Sequence, residues 1–339
     1  MVSMKDIATA CGVSVATVSK SLNGYSDISA ETKALIQQKA KELGYFPNSA
    51  ARALKTNRTF NIGVVLTDDS GSGLAHEYFA NLLQSVRAEV EKNGFDITFV
   101  SNSLGGKKMT YYEHCKYRGV DGVIVACADF QSEELEELVH SDLPVVIFDH
   151  VYDEGMSVLS DNKKGIAELV KYVYDNGHRR IAYIHGEFSQ VTNTRVAAYK
   201  ETMAKLGLEV PKEYVREAAY HDPDKVHDIA IEMLQLKEPP TCILYPDDFT
   251  ALAGMSRLRQ AGYSVPDDLT VAGYDGLMMG QVLYPKLTTI GQDTDRMGKE
   301  AAKLLIDCIE HPDKQKKKQV VIRGHLIEGE TVTRLKNRG

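Results

Sequence analysis

Acidic side chains follow several short apolar runs of the sequence, at the point where each run ends. The runs are NIGVVL, DGVIVA, PVVIF, TCILY and TVAGY, and the acids that follow them are Asp68 and Asp69, Asp129, Asp149, Asp247 and Asp248, and Asp275. If these runs are parallel strands, their carboxyl ends line a binding crevice. Carboxylates gathered there can bind a metal ion, and they suit the hydroxyl groups of a sugar equally well.

The sequence offers no arrangement typical of an enzyme. The motifs H-E-x-x-H and G-x-S-x-G are absent, and the glycines before Lys107 do not form a phosphate-binding loop. His150, His185 and His221 follow or end apolar runs, but no serine or cysteine stands on a nucleophile elbow. The five cysteines are widely spaced and include no C-x-x-C pair. We therefore expect reduced thiols, no metal, no cofactor and no enzymatic activity.

The elements that must position the acids alternate in a regular way. From Asn61 onward, β-rich runs alternate with amphipathic segments, which is typical of βαβ units around a parallel sheet. The pattern starts again at Asp161, so two consecutive α/β sets predict two doubly wound subdomains. Helices are predicted over 77–93, 107–118, 132–140, 161–176, 190–206, 223–236, 248–261 and 293–310.

The N-terminal residues predict three short helices instead. Expected N-caps are Ser3 with Asp6 in capping-box position, Ser14, and Ser29 with Thr32, and expected helix ends are Gly12 and Gly44. Leu35, Ile36, Ala40 and Leu43 give the third helix its apolar stripe. Two short helices across a tight glycine turn, followed by a third, predict a helix-turn-helix bundle.

The segment after this bundle, SAARALKT, follows Asn48 and has no broad apolar stripe. A helix this short is marginally stable in water. We expect it to form only on a partner.

Charge is distributed unevenly along the 339 residues. The net charge is −7, yet residues 1–58 carry eight Lys and Arg against four Asp and Glu. A basic N-terminal segment on an acidic body suggests a nucleic-acid partner for that segment alone. No apolar run is long enough to span a bilayer, and the N-terminus lacks a secretory apolar region, so a cytoplasmic protein is expected.

Taken in order, these segments resemble the lactose- and purine-repressor family of bacterial transcription regulators. The resemblance covers nearly the whole chain, and no single piece of it is specific alone. It rests on MKDIATACGVSVATVSKSLNG, ELGYFPNSAARALKTNRTFNIGVV, VDGVIV, LPVVIFD, SDNKKG, NGHRRIAYIHG, DDFTALAGMSRLRQAGYSVPDDLTVAGYDG and YPKLTTIGQD.

The resemblance implies an α/β fold in three parts and a repressor that acts as a homodimer. These parts are a helix-turn-helix headpiece over 1–46, a hinge helix and linker over 47–59, and a periplasmic-binding-protein-like core over 60–339. Within the core, one subdomain would take 60–160 with 291–322, and the other 161–290 with 323–339. Two headpieces related by a two-fold axis imply a palindromic double-stranded DNA operator.

The resemblance also assigns DNA contacts. In the family the second helix enters the major groove, which places Val15 and Ala16 against thymine methyl groups and Lys20 against guanine. Lys20 stands where the family usually has Arg, and Lys lacks the bidentate fork. Ser14, Thr17, Ser19 and Asn23 suit phosphate oxygens. In the hinge, Asn48 would meet phosphate, Ala51 the groove floor, and Leu54 would wedge into a base step of the minor groove.

For the core, the resemblance implies a small-molecule effector in the cleft between the subdomains. The positions carried over are Phe79, Asp149, Arg195, Tyr220, Asp247 and Asp275. Many acids with one arginine favour a neutral polyol, so a sugar and carbohydrate-utilisation genes are expected. Asp247 stands where the family commonly has Asn, and Thr294 where an apolar residue or Pro is common, so the sequence leaves the identity of the effector open. It also leaves open whether the effector releases DNA or promotes binding. The alternative from another class is a sugar-binding protein or enzyme with a vestigial headpiece.

Overall fold

The structure, a computed structural model, describes residues 2–22, 25–46, 53, 58–67, 73–153, 155–218, 220, 223–312 and 318–335. The chain divides into two compact units, Met1–Thr59 and Phe60–Gly339.

The N-terminal unit contains the three predicted helices: α1 (Met4–Cys11), α2 (Val15–Leu22) and α3 (Ala30–Glu42). The predicted capping box of Ser3 and Asp6 forms at α1, and Gly12 ends that helix with φ 65°. Ile7, Ala8, Val18, Ile36 and Ala40 form the small core. Leu35 was predicted to share this core, but its side chain is 48% exposed because it lies on the outer face of α3.

The first sheet of the core unit has six strands, all parallel, in the order β13-β7-β6-β5-β1-β2. The strands are β1 (Asn61–Leu66), β2 (Asp96–Val100), β5 (Gly122–Cys127), β6 (Val145–Phe148), β7 (Met156–Ser160) and β13 (Lys318–Ile322). One face packs against α4 (Glu77–Lys92) and α12 (Thr294–Glu310), and the other against α5 (Tyr111–Arg118) and α6 (Glu133–Val139). Cover on both faces explains why these strands are continuous apolar runs.

The second sheet has four parallel strands in the order β11-β10-β8-β9. They are β8 (Ile181–His185), β9 (Val215–Glu217), β10 (Cys242–Leu244) and β11 (Thr270–Ala272). Helices α7 (Asn162–Asp175) and α8 (Gln190–Lys205) cover one face, and α9 (Pro223–Leu234) and α10 (Asp248–Gln260) the other. A short helix α11 (Met278–Val282) and an antiparallel pair, β12 (Thr289–Gly291) with β14 (His325–Ile327), complete this half. The α/β fold class is thus confirmed, and the chain passes between the two halves after β7, after β12 and after β13.

One predicted helix begins later than expected. Residues 107–118 were predicted to be helical, but β3 (Ser103–Leu104) and β4 (Lys107–Lys108) form a small hairpin first. Gly105 and Gly106 have φ 59° and 78°, the conformation that a two-residue hairpin turn requires. The helix then begins at Tyr111 with a capping box from Thr110 and Glu113.

Candidate functional site

Arg195 is the centre of a buried polar cluster at the carboxyl ends of the second sheet. Its side chain is 6% exposed and lies on α8. Its Nε donates to Asn162 Oδ1 at 2.6 Å, and one terminal nitrogen donates to the Pro246 carbonyl at 3.0 Å. The guanidinium carbon lies 3.6 Å from the centroid of the Tyr274 ring, and another terminal nitrogen lies 4.0 Å from Asp275 Oδ1. These contacts hold the cation in one position.

Asp275 follows β11 with φ 115°, a conformation that side chains rarely adopt. Gln292 Nε2 donates to its Oδ1 at 2.7 Å, and the side chain is 9% exposed. Burial raises the pKa of this carboxyl to about 7; Arg195 opposes the shift, and the charges of Asp247 and Asp149 add to it. A strained, buried acid with a perturbed pKa is typical of a functional site.

Asp149 supplies a carboxylate from the first sheet, directly after β6. It also has a positive φ, 53°. Its two oxygens accept from the Tyr78 hydroxyl at 2.9 Å and from the Ser160 amide at 2.7 Å. Burial raises its pKa, although both hydrogen bonds and the charge of Arg195 oppose the shift. The direct ion-pair contact of Arg195 is with Asp275, whereas its charge acts on Asp149 only as a minor cause that lowers the pKa.

Asp247 is buried and caps α10, with its Oδ1 accepting from the Thr250 amide at 2.7 Å. Its other oxygen, Oδ2, is buried without a hydrogen-bond partner among the described residues, and so is Gln292 Oε1. Buried acceptors of this kind are uncommon in folded proteins. Asp247 affects the pKa of Asp275 through its charge, and Gln292 donates a hydrogen bond to Asp275, so both residues belong to the cluster. Two acceptor atoms of the cluster therefore have no donor among the described residues.

Asp248 does not belong to this rim, although it was expected there. Its oxygens accept from the Thr289 hydroxyl at 2.6 Å and from the Leu277 amide at 2.7 Å, and the residue is fully buried. It is the first residue of α10, one position beyond its cap, and so turns inward to join the helix start to β12 and α11.

Phe79 and Tyr78 lie next to each other at the start of α4. The two rings are 5.2 Å apart, and His76 lies 5.2 Å from Phe79. Phe79 is half-buried, whereas Tyr78 is buried and bonded to Asp149. Sequence reasoning selected Phe79 and missed Tyr78, because only the fold brings this hydroxyl to a strand end.

Tyr220 lies over Gly186, on the side of the cluster that faces the cleft. Its hydroxyl lies 3.0 Å from Thr192 Oγ1. A Cβ atom at position 186 would come within 2.0 Å of the Tyr220 ring. The absence of a side chain at Gly186 therefore decides where this ring sits.

Replacing Gly186 with alanine is accordingly expected to displace Tyr220 and to weaken effector binding about tenfold, the effect of losing one aromatic contact of about 1.4 kcal/mol. Titration calorimetry of the full chain measures the change. Ala204→Ser, at an exposed position near the other end of α8, is the control and should leave the affinity unchanged. Unchanged affinity in Gly186→Ala would contradict a role for the ring.

The cleft itself has a volume of about 910 Å³ and lies between the two sheets. Its wall is formed by residues at or beyond the carboxyl ends of β1, β5, β6, β8 and β9 and by the start of α8: Thr67, Cys127, Ala128, Asp129, Phe130, Gln131, His150, Glu187, Phe188, Ser189, Gln190, Asn193, Glu217 and Tyr220. A crevice is therefore present at the carboxyl ends of the strands, but among the described residues only Asp129 of the acids expected to line it lies in this wall, and Asp149, Asp247 and Asp275 belong to the buried cluster. Asp68, Asp69 and His221 lie outside the described residues.

Gln190 joins the two halves of the core across this cleft. Its Oε1 accepts from the Val151 amide at 2.9 Å, and its Nε2 donates to the Val151 carbonyl at 3.2 Å. His150 Nε2 lies 3.3 Å from Gln190 Nε2. Gln190 begins α8, which also carries Arg195, so one helix bears both the contact across the cleft and the centre of the polar cluster.

In the N-terminal unit, α2 presents a polar and small-residue surface. Ser14 caps the helix by accepting from the Thr17 amide at 3.0 Å, and Val18 is fully buried. Exposed positions of the predicted DNA contacts are Ser14, Val15, Ala16 and Lys20, and half-buried positions are Thr17 and Ser19.

Lys20 is not free in this unit, because its ammonium pairs with the Asp27 carboxylate. The pair raises the pKa of Lys20 through a hydrogen bond and charge attraction. Lys20 would have to exchange this exposed partner for guanine, at small cost in water. The remaining predicted contacts, Asn23, Asn48, Ala51 and Leu54, lie outside the described residues.

Comparison with known proteins supports both units. The family description "Bacterial regulatory proteins, lacI family" matches residues 3–48, and "Periplasmic binding protein-like domain" matches residues 170–332. The HTH-type transcriptional repressor PurR of Vibrio campbellii is 32% identical over 99% of this chain and 100% of its own length.

Two solved structures resemble the whole chain. A complex of the transcriptional regulator CelR with cellobiose has a TM-score of 0.70 at 26% identity and covers 98% of this chain and 100% of that one. A lac repressor dimer bound to operator and the anti-inducer ONPF has a TM-score of 0.81 at 24% identity and covers 98% and 99%. No helix in the described ranges is long and apolar enough to cross a membrane. The 32% identity to PurR over nearly the whole chain and the family match at residues 3–48 show that the chain belongs to the LacI family of bacterial regulatory proteins. It is a DNA-binding transcriptional regulator with an effector-binding core and not an enzyme.

Proposed function

We propose that this protein is a cytoplasmic homodimeric repressor of carbohydrate-utilisation genes, and that its effector is a sugar. The observation that carries the proposal is the buried cluster in which Arg195 lies 4.0 Å from Asp275 and two acceptor atoms, Asp247 Oδ2 and Gln292 Oε1, lack donors among the described residues. A ligand for this cluster must be rich in hydroxyl or amide hydrogens.

Charge narrows the ligand further. Three carboxylates against one arginine would repel a phosphate or a sugar acid, whereas vicinal hydroxyls can donate to several carboxylate oxygens at once. The Arg195 guanidinium remains able to donate to a ring or hydroxyl oxygen. The 26% identical CelR regulator, solved with cellobiose, supports a sugar. A purine base is the competing ligand, since Tyr220 and Phe79 offer aromatic faces.

For the DNA-binding part, the proposal assigns base contacts to Val15, Ala16 and Lys20. It assigns phosphate contacts to Ser14, Thr17, Ser19, Asn23 and Asn48, and minor-groove contacts to Ala51 and Leu54. The exposure of Val15, 45%, supports an outward role for that residue, in contrast to Val18. The headpiece, hinge and two-part core would follow the boundaries given above.

The homodimer is supported by an apolar surface on the core unit, which we term the α11 face. It consists of Met278, Met279, Val282, Leu283 and Tyr284, with exposed fractions from 47% to 87%. Contiguous exposed apolar residues typically mark an interaction site. A second copy of this chain is the proposed occupant, in keeping with the lac repressor dimer that the chain resembles.

Effector and DNA would be connected through a shift between arrangements of the two core halves. A sugar that contacts Asp149 from one half and Arg195 and Asp275 from the other binds best when the cleft is closed. The Gln190 contact with Val151 would then be retained. In the dimer, the arrangement of the halves would set the spacing of the two headpieces.

A gel shift with the purified full chain and its own upstream DNA tests this function. A retarded band whose affinity changes on addition of sugars is the expected result, and affinity should fall steeply with salt. No band with or without sugars would contradict DNA regulation. A band whose affinity changes with purine bases and not with sugars would contradict the sugar effector but support the DNA-binding repressor.

Leu54→Ala should lower operator affinity more than affinity for unrelated DNA, because an apolar wedge stabilises the kinked operator. We expect a loss of about ten- to a hundredfold on the operator, equivalent to roughly 1.4–2.8 kcal/mol. Competition gel shifts with operator and scrambled duplexes measure the two affinities, and Leu335→Ala on the core is the control. Equal losses on both duplexes would count against the wedge.

A further inference from the structure

The cleft of about 910 Å³ lies beside the polar cluster, and its wall is chemically distinct from that cluster. Arg195, Asp149, Asp247 and Asp275 are absent from the wall, which meets the cluster only at Tyr220. Pockets of roughly 300–1,000 Å³ hold drug-sized ligands. The volume therefore leaves room outside the cluster for more than one sugar ring.

Aromatic rings stand in this outer part of the cleft. Phe188, in the loop between β8 and α8, is 71% exposed although it is a large apolar side chain. Phe130 and His150, which line the same cleft, stack with ring centroids 4.3 Å apart and planes at 4°, and the His150 ring lies 4.8 Å from the Tyr152 ring. Exposed aromatic faces in a concave polar site bury the C–H face of a pyranose ring.

The polar side chains beside these rings are planar and uncharged or acidic. Gln131 and Asn193 provide amide donors and acceptors, and Asp129, Glu187 and Glu217 provide carboxylates. The described part of the wall contains no lysine or arginine. Amides and carboxylates pair with adjacent hydroxyls of a neutral sugar and disfavour a phosphorylated one.

We infer that the outer cleft is a second sugar subsite and that the effector is a neutral disaccharide or short oligosaccharide. One ring occupies the cluster of Arg195 and Asp275, and the next ring lies against Phe188 near Phe130 and His150. Tyr220 stands at the junction of the two subsites. This inference rests on the proposed sugar effector, and it further specifies that the sugar is neutral and has more than one ring.

The test is titration calorimetry of the full chain with glucose, galactose, cellobiose, maltose and lactose, and with a sugar phosphate. We expect the preferred disaccharide to bind at least tenfold tighter than its component monosaccharide, and the sugar phosphate to bind weakest. Phe188→Ala should reduce disaccharide affinity about tenfold and leave monosaccharide affinity unchanged, whereas Phe188→Tyr should retain disaccharide binding. Phe99→Ala, at an exposed phenylalanine on β2 outside the cleft, is the matched control.

The outcomes separate the two proposals. A monosaccharide that binds as tightly as its disaccharide, or equal losses for both sugars in Phe188→Ala, overturns the second subsite and leaves the sugar effector intact. Binding of none of the five sugars by the wild-type chain overturns the sugar effector, and the subsite with it. Loss of both sugar sizes in Asp275→Asn together with selective loss in Phe188→Ala supports both proposals.

Discussion

Asp275→Asn is expected to weaken effector binding by 100-fold or more while operator binding is retained. A carboxylate accepts from two hydroxyls of a bound sugar, and a hydrogen bond to a charged group contributes roughly 1.5–3 kcal/mol. Asparagine keeps the shape but presents an amide nitrogen where an acceptor is needed. Because Asp275 lies in the core unit, α2 and its exposed surface are unaffected.

The same acid predicts a pH dependence of effector binding. The pKa of Asp275 is raised to about 7, with burial as its first cause. A hydroxyl of the proposed sugar effector would donate to the ionised form, so affinity should increase as the pH rises from 6 to 8. Binding measured by calorimetry across this range should lose its dependence in Asp275→Asn. A flat profile for the wild-type chain would contradict a direct contact with this carboxylate.

The free energy of unfolding of the chain without effector should change in the opposite direction and fall as the pH rises. Since the folded chain holds this proton more tightly than the unfolded chain, where the pKa is near 3.8, the contribution of Asp275 is fully present below pH 4 and is lost as the pH rises to about 7. Its size is about 4 kcal/mol at most. The free energy of unfolding, measured with a denaturant in the absence of effector, should therefore decline less from pH 4 to 7 in Asp275→Asn than in the wild-type chain. Asp307→Asn, at an exposed acid on α12, is the matched control and should decline as the wild type does.

Val282→Asp should dissociate the proposed homodimer and reduce operator affinity by about 10²–10⁴-fold. Val282 is 68% exposed in the α11 face, so the monomer tolerates a charge there. In a dimer the carboxylate would be buried without a partner, which is strongly unfavourable. Loss of the second headpiece removes the gain that linkage of two binding modules provides.

Sedimentation velocity measures the mass of the variant, and a gel shift measures operator affinity. Val321→Asp places the same charge on β13, where the valine is 55% exposed outside the α11 face, and should leave both unchanged. Circular dichroism confirms that each variant is folded. A Val282→Asp protein that sediments as a dimer would show that the two copies meet elsewhere.

The parts of the fold that the sequence predicted correctly depend on residues that are close together in the chain. The caps at Ser3, Ser14 and Ser29 form as the sequence indicates, because a cap joins residues only three apart. The short strands β7 and β9 were not predicted, and the sequence pattern alone did not assign the predicted final short strands to either half, since the place of a strand depends on its partner. For β13 that partner is β7, from which it is separated by about half of the chain.

The candidate site divides in the same way. The sequence by itself determined that acids follow buried strands and that Arg195 and Tyr220 match a family pattern, because strand periodicity and motifs are properties of neighbouring residues. Only the tertiary structure decided that Asp247 faces the cluster while adjacent Asp248 turns away, and that Tyr78, Asn162 and Gln292 hold the cluster in place. These contacts join residues 17 to 71 positions apart, and their energies depend on burial, which exists only after both sheets and their helices have packed.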